Sequence, residues 1–155
     1  MHRFSTLKAM LGVAVVLSLG CGSGSESITS LPQSELTRSK ELWSSKGIHS
    51  YRFTLQRGCF CSPDVLTPVV IEVHGDTTTS ITKVGGGTVD GTAFASYNTI
   101  DKIFTAIQNT LDIHGNVNAT TYHTTQGYPI QVDLDPHPNL ADDEESLQVS
   151  DFQVL

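Results

Sequence analysis

The sequence predicts an α+β domain made of two αβββ-like units, an antiparallel sheet packed on two helices. Three observations carry this. From residue 99 to 112, Ile100, Ile103, Phe104, Ile107 and Leu111 recur at i, i+3, i+4, i+7 and i+11, the stripe of a helix with one buried face. Elsewhere apolar and polar residues alternate, as in Tyr51-Arg52-Phe53-Thr54-Leu55-Gln56, which is the pattern of a strand covered on one side. The elements so predicted run helix, three strands, helix, three strands.

The first helix is expected over residues 33–46, with Ser30 or Ser34 as cap, Leu36 and Trp43 two turns apart on one face, and Gly47 as its stop. Strands follow at 51–56 and around Val69, Ile71 and Val73, then a turn at Gly75-Asp76 and a weaker strand at 79–84, closed by Gly85-Gly86-Gly87. The second helix starts from Asn98 or Thr99 as cap, and Gly115 is placed for a left-handed stop. Three more strands are expected at 117–121, 130–134 and 147–154. In the last one Leu147 and Val149 point one way and Phe152 and Val154 the other, which predicts a bulge.

Ahead of this domain the chain has the layout of an export signal. Residues 1–8 carry Arg3 and Lys8 and no acid, and residues 9–19 are a mostly apolar run. Eleven helical residues rise about 17 Å, short of the roughly 30 Å of a bilayer core, so the run is not a membrane span. Leu17-Ser18-Leu19-Gly20-Cys21 is similar to a lipobox, and Gly22-Ser23-Gly24-Ser25 reads as a flexible tether. The expected organisation is therefore a signal peptide at 1–20, a lipidated Cys21 with its tether at 21–29, and one domain at 30–155. Ser18 stands where a lipobox usually has a branched aliphatic residue. Ser18 and Gly20 also satisfy ordinary signal peptidase, so secretion with a free Cys21 is the alternative. Cysteine counting favours the anchor: removing Cys21 leaves the even pair Cys59 and Cys61 in an oxidising compartment. Gly22 is not Asp, which favours the outer membrane over the inner one.

Composition excludes some partners. The 155 residues include 38% hydrophobic and 16% charged side chains, enough apolar material for one core. Without Arg3 and Lys8 the mature chain has 7 basic against 16 acidic residues, a charge of about −9. Nucleic acid is therefore not an expected partner, since its binding rests on phosphate neutralisation by Lys and Arg.

The most distinctive motif is Gly58-Cys59-Phe60-Cys61-Ser62-Pro63. A short-loop disulfide is the favoured reading in an exported protein; a soft-metal site with His74 or His123, or a redox pair, are the alternatives. Two extended residues span about 6.6 Å between Cα atoms, so a bridge requires the segment to bend. Asp133, Asp135, Asp142, Asp143, Glu144 and Glu145 invite a calcium or acid/base reading. Two prolines interrupt that run and the glycine of an EF-hand loop is missing, so a solvated loop is expected. Tyr122, Tyr128 and Pro129, around the turn Gln126-Gly127, form an exposed-looking hairpin tip, the candidate partner-binding group. No catalytic signature is found, no cofactor is implied, and a non-enzymatic role is expected.

Trp43, Tyr51-Arg52-Phe53, Cys59-Phe60-Cys61, Thr99-Ile100-Asp101, Tyr122, Gly127-Tyr128-Pro129 and Asp142 with Glu144 together resemble a bacterial lipoprotein family catalogued as domain of unknown function number 6174. The resemblance spans nearly all of the mature chain. It implies an exported or lipid-anchored protein and supplies no catalytic residues. The tandem αβββ layout also looks like that of beta-lactamase-inhibitor-like and PepSY-type envelope modules, an analogy of fold alone. The expected role is a cell-envelope lipoprotein, held to the membrane by its anchor, whose sheet or hairpin tips bind another envelope protein or peptide. A metal- or redox-handling protein using Cys59 and Cys61 is the alternative.

Overall fold

In the computed structural model, which describes residues 30–155, alternation in the sequence becomes one open six-stranded antiparallel sheet. The elements are α1 (Ser30–Ser45), β1 (Tyr51–Gly58), α2 (Pro63–Leu66), β2 (Val69–His74), β3 (Thr77–Lys83), α3 (Ile100–Asp112), β4 (Asn116–Tyr122), β5 (Pro129–Asp135) and β6 (Glu145–Val154), with a 3-10 turn at Gly91–Phe94 before α3. The strand order is β3-β2-β1-β6-β5-β4, so each αβββ unit contributes one half of the sheet and the halves join through β1 and β6. Export signal, Cys21 and tether were read on residues 1–29, which lie outside the described residues. No helix among the described residues is long and apolar enough to cross a membrane.

One sheet face is buried. Tyr51, Phe53 and Leu55 of β1, Val69, Ile71 and Val73 of β2, Val132 and Leu134 of β5, and Leu147 and Val149 of β6 meet the stripe of α3, where Ile100, Ile103, Phe104 and Ile107 are fully buried. The other face carries Arg52, Thr54, Gln56, Gln131 and Gln148 and is open to solvent.

Helix α1 shows how a thin apolar stripe can suffice. Leu36 and Trp43 are buried, with Ser39 between them. The turn between β4 and β5 lies directly on this helix: a Cβ at Gly127 would collide with the Ser39 carbonyl and stand 2.8 Å from the Trp43 nitrogen. Close backbone approach, as much as apolar area, seats α1. Gly127 also adopts a φ of +85°, so glycine is needed there twice over.

Two sequence expectations are sharpened by the backbone. At the end of α3 the left-handed residue is His114 (φ +60°), and Gly115 follows it. The His114 N–H donates to the Leu111 carbonyl and the Gly115 N–H to the Thr110 carbonyl, the two bonds of a Schellman ending. Gly115 is required for space instead, because a Cβ there would sit 2.7 Å from the Pro136 carbonyl oxygen. In β6 the register against β1 shifts opposite Phe53, where Asp151 takes a φ of +50°. That bulge turns Phe152 back to the core side, where it stacks on Tyr128 (4.4 Å between ring centroids) and Tyr51 (5.4 Å). One-turn α2 and the 3-10 turn were not expected; both are single turns, too short to leave a periodic signal.

Candidate functional site

On the solvent face, cross-strand register builds one row from three strands. Gln56 of β1 pairs with Gln148 of β6, and Gln148 with Gln131 of β5. The next row is Gly58, Ser146 and Asp133. Gly58 presents no side chain, and a Cβ there would strike Ser146 Oγ. A groove of about 260 Å³ opens beside it, floored by Gln56, Gln131, Asp133, Ser146 and Gln148. Enclosed small-molecule sites usually run from about 300 to 1,000 Å³ and are mostly apolar. This groove is smaller, open and polar. Each glutamine offers two donors and an acceptor, the complement of peptide groups lying across a sheet.

Behind the groove, on the core side, Arg57 forms a fork with Glu145: Nε to Oε1 and Nη2 to Oε2, both 2.7 Å. The two side chains are 10% and 11% exposed. Arg57 also donates from Nη1 to the Ala93 carbonyl and lies over the Tyr97 ring, 4.9 Å from its centroid. Burial pulls the guanidinium down, and the hydrogen bonds and charge of Glu145 outweigh it, holding Arg57 above its ordinary value. The pair fastens the loop before α3 to the centre of the sheet.

At the same end of β1, Gly58 leads into Cys59, whose sulfur is bonded to that of Cys61. The Cys61 N–H donates to the Cys59 carbonyl at 2.8 Å, and this bend brings the two Cα atoms to 5.2 Å. Phe60, at the apex, is 82% exposed.

The sequence model of a family described as "Family of unknown function (DUF6174)" matches residues 35–154. The chain belongs to the DUF6174 family. No curated protein and no solved structure matches it.

In this DUF6174 chain the remaining sequence candidates are scattered. Tyr128 and Pro129 are buried, correcting their reading as an exposed tip. Gly127 draws the turn down on α1, so Tyr128 stacks between His123 and Phe152, and Tyr122 is half-buried against Phe104. The bonded sulfurs of Cys59 and Cys61 leave no thiolate for a metal, and His74 and His123 stand at the opposite end of the sheet. The acidic run is also dispersed. Asp133 faces the groove, Asp135 accepts from Asn116, Asp143 pairs with His137 at 2.9 Å, and Glu145 takes Arg57. Among the described residues no three His, Cys, Asp or Glu side chains are grouped to hold a metal ion.

Sequence reasoning missed both the glutamine row and the Arg57–Glu145 fork. Phase did carry a signal for the fork: Arg57 continues the inward positions of Tyr51, Phe53 and Leu55, and Glu145 precedes those of Leu147 and Val149. Two opposite charges in core phase are a candidate buried pair.

Proposed function

We propose that this protein is a lipid-anchored lipoprotein of the cell envelope that binds another envelope protein or peptide across the open face of its sheet and performs no chemistry itself. The observation that carries the reading is the Gln56–Gln148–Gln131 row on a face turned away from both long helices. Polar side chains on three rigid central strands suit recognition of an extended peptide or a flat protein surface. Cys21 would supply the anchor, and several acyl chains at about 0.8 kcal/mol per buried methylene would make it effectively permanent.

Crosslinking in intact cells followed by mass spectrometry tests the binding role. A specific envelope protein recovered with the chain supports it; turnover of substrate by the purified protein in an unbiased hydrolase screen would overturn it. The metal-handling alternative requires free thiols at Cys59 and Cys61, and the redox alternative requires that their bridge open and close reversibly.

A further inference from the structure

Eight large hydrophobic side chains are exposed among the described residues, and six of them, Leu31, Phe60, Leu66, Val84, Ile113 and Leu140, lie at one end of the domain. The topology requires this. Gly58 pairs with Ser146, Val69 with Lys83, and Asn116 with Asp135, so the segments 59–68, 84–90, 113–115 and 136–144 all leave the sheet at the same end. Helix α3 runs toward that end, from the Tyr51 hydroxyl that receives the Ile100 N–H to Asp112 before β4. Helix α1 runs the other way: Gln33 is bonded to Gln108, and Trp43 packs on Tyr51 at the far end. Leu31 and the start of α1 therefore belong to the same end as Phe60.

Resting on the reading of Cys21 as a lipid anchor, we infer that this end of the domain sits on the bilayer surface, with Phe60 entering the lipid interface beside Leu66 and Val84. Eight residues lie between Cys21 and Ser30, a reach of at most about 30 Å when fully extended, so the bilayer is the surface these side chains meet most often. The disulfide-bent loop holds Phe60 outward, 82% exposed, where an aromatic ring suits the boundary between headgroups and acyl chains. Charge selects the kind of lipid. On the β1–β2–β3 side of this end Lys83 and Asp64 neutralise each other at 2.9 Å, whereas Asp142, Asp143 and Glu144 lie on the loop between β5 and β6 at the same end. That balance fits a zwitterionic surface and opposes a strongly anionic one. Seated this way, the groove at Gly58 opens sideways, close to the membrane plane.

The test uses the full mature chain, with its lipid state established by intact mass, reconstituted in phosphatidylcholine vesicles with and without brominated acyl chains. Phe60→Trp adds an indole at the apex, and Thr77→Trp adds one at the opposite end; buried Trp43 supplies a constant background, subtracted with the unsubstituted protein. The expected result is a blue shift of the added emission at position 60 and loss of about half of it to brominated lipid, neither change at position 77, and weaker quenching in phosphatidylglycerol vesicles. Val84→Trp repeats the measurement at a second site. A lipidated chain whose indoles at 60 and 84 keep their spectrum in buffer and escape quenching would overturn docking alone. A chain without lipid would refute the anchor and docking together. A blue shift at position 60 that grows with protein concentration in a Cys21→Ala chain, without acyl chains or vesicles, would overturn docking in favour of contact between copies.

Discussion

Arg57 and Glu145 meet in a two-pronged ion pair almost shielded from water, joining β1 to β6 at the place where the two αβββ units abut. Removing one partner strands a buried charge, which typically costs about 3–5 kcal/mol, whereas replacing both by well-packed apolar residues is often neutral. Glu145→Gln alone should therefore destabilise the domain by about 3 kcal/mol in urea unfolding, and Arg57→Met with Glu145→Leu should recover most of that loss. A single change that costs less than about 1 kcal/mol would show the pair to be solvated.

The end of α3 gives an opposed pair of outcomes. Gly115→Ala places a methyl 2.7 Å from the Pro136 carbonyl oxygen and should cost about 1–3 kcal/mol. His114→Gly relieves a left-handed β-carbon at φ +60° while loosening the unfolded chain, for a change between zero and a gain of about 1 kcal/mol. Thermal unfolding of the two variants checks the order, and its reversal would place the left-handed turn at Gly115.

All four tyrosines are held above their ordinary value, each chiefly by burial, Tyr51 and Tyr122 to about 12. A hydroxyl whose pKa is raised in the folded state contributes stability that is complete below pH 10 and is lost as pH rises from 10 toward 12. Tyrosinate absorbance of the folded protein should lack a step at the ordinary value and regain it in denaturant. Tyr51→Phe should flatten the alkaline loss of stability and cost about 1 kcal/mol at neutral pH, for the orphaned Ile100 N–H. A normal tyrosine titration in the native protein would contradict the packing around Tyr51.

A bridge between Cys59 and Cys61 closes so short a ring that its effect on global stability is small, about 2 kcal/mol or less. Replacing both cysteines by serine should leave the fold intact and loosen only the segment that presents Phe60, read by faster backbone hydrogen exchange over residues 59–66. Under non-reducing conditions no thiol should titrate at either position. Two free thiols with bound metal would revive the metal-handling reading.

How far the sequence carried the structure depended on range. Period and caps placed α3, because five apolar side chains and Thr99 lie within four turns, and the phase change between Val149 and Phe152 announced the bulge at Asp151. Local patterns could also tell the open face from the buried one, since Gln56, Gln131 and Gln148 fall out of phase with Leu55, Val132 and Leu147. That these glutamines share one row was not legible, because the β1–β6 pairing joins residues about ninety positions apart and leaves no periodic trace. Tyr128 and Pro129 were misplaced for a related reason. Their turn chemistry describes an exposed hairpin, and only the contact of Gly127 with α1, far away in the chain, buries it.

The binding reading stands or falls on the open face of the sheet. A photoreactive side chain introduced at Gln148, at the centre of the row, is to be compared in intact cells with one at Glu41, exposed on α1. A discrete envelope protein captured from position 148 and absent from position 41 is the predicted result. No adduct from position 148, or the same adducts from both positions, would contradict it.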